Sequence, residues 1–115
     1  MRAQMVWKRL MRRLRTRRMF RDHRRRVAMM PADMRNAHKH SSNHRAEILA
    51  SETCGCFYCI SLFRPDAIGH WADSRKGGSA QTALCPNCGI DSVIGDRSGF
   101  PITKPFLTDM KRHWF

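Results

Sequence analysis

Cys56-Phe57-Tyr58-Cys59 and Cys85-Pro86-Asn87-Cys88-Gly89 decide how this chain folds. Both segments contain two cysteines separated by two residues, and together they follow the pattern C-x2-C-x25-C-x2-C. Each pair sets two thiolates on one tight turn, and two such turns hold one tetrahedral zinc ion when folding brings them together. The sequence therefore predicts a structural zinc site whose four ligands are Cys56, Cys59, Cys85 and Cys88.

The two pairs differ in how well their other residues suit a tight turn. Pro86 presets the backbone angle directly after the first ligand of the second pair, and Gly89 accepts a left-handed conformation directly after the last. The first pair has Phe57 and Ile60 at those places, so its prediction rests on spacing alone. The stretch between the pairs is longer than usual, which a short inserted helix would absorb.

The fifth cysteine, Cys54, lies two residues before Cys56, so on an extended strand both side chains point to the same face. We expect a plain buried or edge thiol, since free cysteine packs as a small apolar residue. Three other roles stay open: replacement of Cys56 as a ligand, support of the ligands from behind, and oxidation after the metal leaves. The competing interpretation of the five cysteines is that they are buried reduced thiols without any metal. Four cysteines in two tight pairs fit that interpretation poorly.

Positive charge is concentrated in the first 40 residues. They contain 14 Lys and Arg against two Asp, whereas residues 41–115 contain 8 Lys and Arg against 7 Asp and Glu. We therefore divide the chain into a basic segment with a linker, 1–40, and a zinc-ribbon-like domain, 41–115. A domain of that size has only a marginal hydrophobic core, and a structural metal is a common source of the missing stability.

Residues 1–28 have the pattern of a basic amphipathic helix. The apolar residues recur at i, i+3, i+4 and i+7, and they are Trp7, Leu10, Met11 and Leu14. Three functional interpretations compete: an arm that binds nucleic acid, a helix at a membrane surface, and an organelle transit peptide. The absence of Ser from this stretch argues against a transit peptide.

A fourth interpretation is that translation begins later, at Met29, Met30 or Met34. Our hypothesis is that the functional protein begins near Met34, and a peptide from residues 1–28 recovered from the native organism would contradict it. The sequence has no secretory apolar segment and no apolar run near the ~20 residues that cross a membrane. The thiols are therefore expected in a reducing compartment, as ligands and not as disulfides.

The remaining pattern predicts an α+β fold with short strands and two or three helices, preceded by the basic helix or tail. His38–His44 is polar and is expected to be a loose linker; metal binding by its three histidines is the less favoured alternative. Ser42 or Asn43 is expected to cap a short helix that begins near His44. Thr53–Phe63 predicts a strand, a cysteine turn and a second strand.

Further along the chain, Pro65 is expected to open a helix that packs through Ile68 and Trp71. Ile90–Ile94 predicts a short strand that follows the second cysteine pair. Pro105 suits the first turn of a last helix, in which the apolar residues are Phe106, Leu107, Met110 and Trp114.

Three segments carry a resemblance to known proteins: Cys54-Gly55-Cys56-Phe57-Tyr58-Cys59, Cys85-Pro86-Asn87-Cys88-Gly89-Ile90-Asp91-Ser92-Val93-Ile94-Gly95, and Trp114-Phe115. From about His44 onward, the chain resembles a family of small uncharacterised bacterial cytoplasmic proteins. The resemblance implies a zinc-ribbon-like domain and a cytoplasmic setting, and it implies no established activity. Residues 1–33 depart from the family's pattern, which favours a later start.

Four cysteine ligands leave no open coordination position, so the chemistry favours a structural metal and a binding or scaffold function with a protein partner. The alternative is a nucleic-acid-binding zinc ribbon that uses the basic arm. A nuclease-like enzyme is the least favoured hypothesis. It would combine Asp91, Asp96 and Arg97 with a histidine base, for which the candidates are His44, His70 and His113. The simpler interpretation is that the two aspartates cap turns through side-chain to backbone bonds.

Overall fold

The structure is a computed structural model that describes residues 17–74 and 78–115. The chain divides into two compact units, Met1–Pro31 and Ala32–Phe115. In the first unit, residues 17–29 are helical, which we call α1. The basic helix predicted over residues 1–28 is thus observed from residue 17 onward. Its apolar residues from Trp7 to Leu14 lie outside the described residues.

The second unit contains three α-helices, five short strands and three single turns of 3-10 helix among the described residues. The helices are α2 (Ala32–His38), α3 (Arg45–Ala50) and α4 (Lys104–Trp114). The strands are β1 (Cys54–Cys56), β2 (Leu62–Phe63), β3 (Trp71–Ala72), β4 (Thr82–Ala83) and β5 (Val93–Gly95). The 3-10 turns are Lys39–Ser41, Pro65–Ala67 and Asp96–Ser98. The predicted α+β class is confirmed.

The strands form two antiparallel sheets. The larger sheet has the order β2-β1-β5, so the strand that carries Cys54 and Cys56 lies in its centre. Cys54 pairs with Phe63 on one side and with Gly95 on the other, and Cys56 pairs with Val93. The smaller sheet pairs β3 with β4. Because β4 ends at Ala83, two residues before Cys85, both cysteine pairs lie next to strands.

The core lies between β1, β5 and the helices. Ile48, Val93, Leu107 and Met110 are fully buried. Helix α4 lies close to β1: a Cβ added at Gly55 would be only 2.6 Å from Leu107 Cδ1. A glycine at the centre of β1 is therefore what allows the helix to pack there.

The expectation of a loose linker over His38–His44 is wrong. His38 ends α2, Lys39–Ser41 is a 3-10 turn, and His44 is 5% exposed. Helix α2 is held by α4: the Trp114 indole stacks on the His38 ring at 3.8 Å, and its Nε1–H donates to the Met34 carbonyl at 3.1 Å. The second unit therefore includes residues that the sequence pattern placed in a linker.

Two further local predictions are corrected. Helix α3 forms as expected, but its N-cap residue is His44, which makes no side-chain cap bond, and not Ser42 or Asn43. Pro65 opens only the 3-10 turn Pro65–Ala67, and Trp71 lies in β3, where it pairs with Ala83. The strand predicted over Ile90–Ile94 is found as Val93–Gly95. The last helix is confirmed, with Thr103 as its N-cap accepting from the Phe106 N–H.

Candidate metal centre

The first cysteine pair lies on a tight turn, residues 56–60, which we call the first knuckle. The Cys56 carbonyl accepts from the Ile60 N–H at 2.9 Å, and the Cys56 N–H donates to the Ser61 carbonyl at 3.0 Å. Ile60 has a φ of 61°, in the left-handed region. These bonds connect the end of β1 to the start of β2 and turn both cysteine side chains to one side.

The second pair lies on an equivalent turn, residues 85–89, which we call the second knuckle. The Cys85 carbonyl accepts from the Gly89 N–H at 2.9 Å, and the Cys85 N–H donates to the Ile90 carbonyl at 3.0 Å. Gly89 has a φ of 80°. The two knuckles therefore have the same two backbone bonds and the same left-handed residue after the second cysteine.

Folding brings together the four cysteines that the spacing singled out. Their sulfur atoms lie within 4.8 Å of one another. The closest pairs join the two knuckles: Cys56 Sγ is 3.7 Å from Cys88 Sγ, and Cys59 Sγ is 3.6 Å from Cys85 Sγ. In each knuckle the first cysteine is buried and the second is partly exposed. This cluster can hold a metal ion.

Polar groups surround the sulfur atoms. The backbone N–H groups of Tyr58 and Asn87 donate to Cys56 Sγ and Cys85 Sγ at 3.4 and 3.3 Å. Two hydroxyls contact the sulfurs as well: Ser61 Oγ is 2.9 Å from Cys59 Sγ, and Ser92 Oγ is 3.2 Å from Cys56 Sγ. Such donors stabilise negative charge on sulfur and fix the direction of each ligand.

The thiols of the cluster differ in acidity. Burial raises the pKa of Cys59, but donors from Ser61 and Asn87 outweigh it and lower the pKa to about 6. Burial, together with the neighbouring Cys56 and Cys85 sulfurs, raises the pKa of Cys88 to about 12. Four thiolates at this spacing repel one another, and a divalent cation is what allows all of them to ionise.

Cys54 lies outside the cluster. Its side chain is fully buried in the core, and burial with the nearby Asp96 carboxylate raises its pKa to about 12. A thiol with such a pKa stays protonated at neutral pH and behaves as an apolar side chain. This agrees with the expectation of a plain buried thiol.

Two residues that sequence analysis named as catalytic candidates bond to the backbone. Asp96 accepts from the N–H groups of Glu52 and Thr53 at 3.1 and 3.3 Å, so it makes side-chain to backbone bonds as the simpler interpretation predicted, but to a segment more than 40 residues earlier and not to its own turn. His44 Nδ1–H donates to the His40 carbonyl, while Nε2 accepts from the Ala83 N–H at 3.0 Å. Among the described residues, only the four cysteines form a cluster of three or more potential metal ligands.

The cysteine pattern missed the polar side chains that contact the sulfurs, because Ser61 belongs to no motif and Ser92 stood only within the segment that carries the family resemblance. It also missed a pair outside the cluster: His40 Nδ1 lies 2.9 Å from Glu47 Oε1. Asn87 carried a signal by its position inside the second knuckle, and its side-chain amide donates to Cys59 Sγ at 3.5 Å.

The first knuckle also carries an exposed aromatic pair. Tyr58 and Phe115 meet edge to face with ring centroids 4.9 Å apart, and they are 38% and 59% exposed. The Lys111 ammonium lies 5.1 Å from the Tyr58 ring centroid, which is within cation–π range.

Comparisons of the chain with protein-family models, with curated proteins and with solved structures gave no match. The family resemblance described above therefore stays a prediction. Within residues 17–74 and 78–115, no helix is long and apolar enough to cross a membrane.

Proposed function

We propose that this chain is a zinc-binding module of binding or scaffold type, in which zinc holds a ribbon-like fold together and takes no part in chemistry. The observation that carries the proposal is the arrangement of the four sulfurs, contributed pairwise by two equivalent knuckles. The residues that would hold the ion are Cys56, Cys59, Cys85 and Cys88.

The spacing supports a single tetrahedral ion. With Zn–S bonds of about 2.3 Å, a tetrahedral site separates its sulfurs by about 3.8 Å. The contacts between the knuckles, at 3.6 and 3.7 Å, are close to that value. Four thiolates in tetrahedral geometry select zinc or iron over harder cations such as magnesium and calcium.

The donor set supports a structural role. Catalytic zinc sites have three protein ligands and leave one position for water or substrate, whereas four cysteines fill every position. The unit from Ala32 to Phe115 is small, and apparent zinc-binding energies on the order of 10 kcal/mol exceed what such a core supplies. Zinc would therefore decide whether this unit is folded at all.

The test is the metal content of the purified full chain, measured by native mass spectrometry and elemental analysis. We expect one zinc per chain, and Cys59→Ser should lower the zinc affinity at least tenfold. Cys54→Ala is the matched control, because it removes a buried cysteine outside the cluster and should keep one zinc per chain. A folded chain without metal, or an iron–sulfur absorption spectrum, would contradict the proposal.

A further inference from the structure

Helix α1 carries an unusual density of arginine. Residues 17–29 contain six arginines against one acidic residue, Asp22. All six arginines are exposed. None of them forms an ion pair with a carboxylate within the described part of the chain, where the two ion pairs lie in the second unit. Within the described residues, no ion pair therefore offsets the positive charge of this helix.

Five of these arginines share one face of the helix. At 3.6 residues per turn, successive residues are about 100° apart, which places the five within an arc of about 120°. We call this the arginine face, and it consists of Arg17, Arg18, Arg21, Arg24 and Arg25. Arg26 lies on the other side, where Nη2 contacts His23 Nδ1 at 3.5 Å. Along the helix axis, Arg17, Arg21 and Arg25 follow one another at four-residue steps of about 6 Å.

The residues on the opposite side of α1 distinguish the two kinds of anionic partner that the arginine face could bind, a membrane surface and a polyanion in water. A helix that lies in a membrane surface needs a broad continuous apolar side. Here Met19, Phe20 and Val27 are interrupted by His23 and Arg26. The charge is large and the exposed apolar side chains, Met19 and Phe20 among them, form no continuous side, which favours a rigid polyanion in water over a lipid surface.

We propose that the arginine face of α1 binds the phosphate backbone of double-stranded DNA without sequence specificity. The major groove of B-DNA is about 12 Å wide and admits an α-helix, whereas the deep and narrow groove of duplex RNA does not. Arginine guanidinium groups bind phosphate through two parallel N–H bonds, which suits a row of exposed arginines to a row of phosphates. This binding does not depend on the metal centre proposed above, and it requires a chain that includes residues 17–29, so it replaces the hypothesis of a start near Met34.

The experiment measures the affinity of the full zinc-loaded chain for a labelled 20-base-pair DNA duplex over a series of salt concentrations. Each phosphate contact contributes about −0.9 to the slope of log affinity against log salt. Arg21→Gln with Arg25→Gln removes two charges from the centre of the face, and we expect the slope to flatten by about 1.8. Glutamine is a good helix former, so circular dichroism should show unchanged helicity.

The matched control is Arg26→Gln with Arg64→Gln, which removes the same charge from the opposite side of α1 and from an exposed site in the second unit. We expect its slope to stay within about 0.5 of the parent value. Equal flattening in both double variants would overturn the proposal, because it would show that net charge alone determines binding. Absence of duplex binding at low salt would overturn it as well.

Two further binding measurements compare DNA with the other polyanions. Duplex RNA and vesicles with about one third anionic lipid are each expected to bind more weakly than the DNA duplex. Tighter binding to vesicles that is lost on Phe20→Ser would overturn the proposal in favour of a membrane helix. Zinc content is measured on the same samples, so failure of this proposal is distinguishable from failure of the proposed metal site.

Discussion

The two knuckles have the same backbone course but different residues at the left-handed position. Gly89 adopts its φ of 80° without a steric penalty, whereas Ile60, a β-branched residue, has a φ of 61°. A non-glycine residue in this conformation costs roughly 1–2 kcal/mol. The Ile60 N–H bond to the Cys56 carbonyl and the turn of Cys59 toward the cluster require that conformation. The first knuckle therefore holds local strain that the second avoids.

Gly89→Ala should lower the free energy of unfolding by about 1 kcal/mol, because alanine pays the left-handed penalty. A Cβ at position 89 meets no atom within 4 Å, so steric clash is not part of the expected loss. Gly69→Ala is the control: its Cβ is equally free and its φ lies outside the left-handed region, so stability should be unchanged or slightly raised. Urea unfolding at saturating zinc measures both, and equal effects would refute the argument.

Ser61→Ala should weaken zinc binding about tenfold, which is a typical loss when a group that supports a metal ligand is removed. The Ser61 hydroxyl is 2.9 Å from Cys59 Sγ, and its loss removes a donor to the thiolate. Competition with a chromophoric chelator at neutral pH gives the affinity. Ser42→Ala, at an exposed serine, should have no effect. An unchanged affinity in Ser61→Ala would show that the hydroxyl does not support the ligand.

At the scale of elements, the sequence predicted the features that depend on residues close together in the chain. The cysteine spacing identified the four residues that meet, and Pro105 identified the last helix. The helix expected after Pro65 failed because Trp71 is fixed by a strand partner, Ala83, which lies 12 positions further along. Pairing at that distance overrides a local helix signal.

Helix α2 escaped prediction for a related reason. His38 is an ordinary polar residue by sequence, and it is fixed by stacking on Trp114 near the other end of the chain. The Trp114 indole also bonds to the Met34 carbonyl, so a single side chain fixes two points of α2. Contacts that span so much of the chain leave no periodic signal in a polar segment.

Acid should destabilise the second unit through His44, which connects the start of α3 to β4. The bond at Nε2 requires the neutral ring, because Nε2 accepts from the Ala83 N–H. Burial lowers the pKa of His44 below 6.5. As pH falls, the unfolded chain binds the proton first, so the contribution is complete above pH 6.5 and is lost below it.

His44→Gln provides the comparison, since glutamine can accept the same bond and does not titrate. Between pH 7.5 and 5.5 at saturating zinc, we expect the free energy of unfolding to fall more in the parent chain than in this variant. Zinc release by acid affects both proteins alike and cancels in the difference. Parallel pH profiles would show that His44 does not contribute.

At the scale of the whole molecule, most of the net positive charge lies in the first unit and the cysteine cluster lies in the second. Residues 1–31 contain 12 Lys and Arg against one Asp, whereas residues 32–115 contain 10 Lys and Arg against 8 acidic residues. The formal charge is thus +11 in the first unit and +2 in the second. With four thiolates around one divalent ion, a net of −2, the second unit becomes neutral. Any strong attraction to polyanions must therefore reside in residues 1–31.

Removal of residues 1–31 should leave the zinc stoichiometry and the unfolding free energy unchanged within about 0.5 kcal/mol, because the second unit holds its own core. Removal of residues 1–38 is the contrasting variant, since it deletes α2 and the stacking of His38 on Trp114. That variant should lose several kcal/mol. Thermal unfolding monitored by circular dichroism distinguishes the two, and equal stability would show that α2 is dispensable.

The closeness of Cys59 and Cys85 has a consequence for chain continuity. Their sulfurs are 3.6 Å apart, and β3 and β4, which lie between these two cysteines in the sequence, pair antiparallel. If the chain were cut between Ser74 and Gly78, the cysteine cluster and this strand pairing would hold the two pieces together. Two peptides, one ending at Ser74 and one starting at Gly78, would each carry one knuckle and half of a metal site. We expect them to associate in the presence of zinc and to separate when a chelator removes it. The metal would then join two independent chains, and zinc concentration would set their affinity.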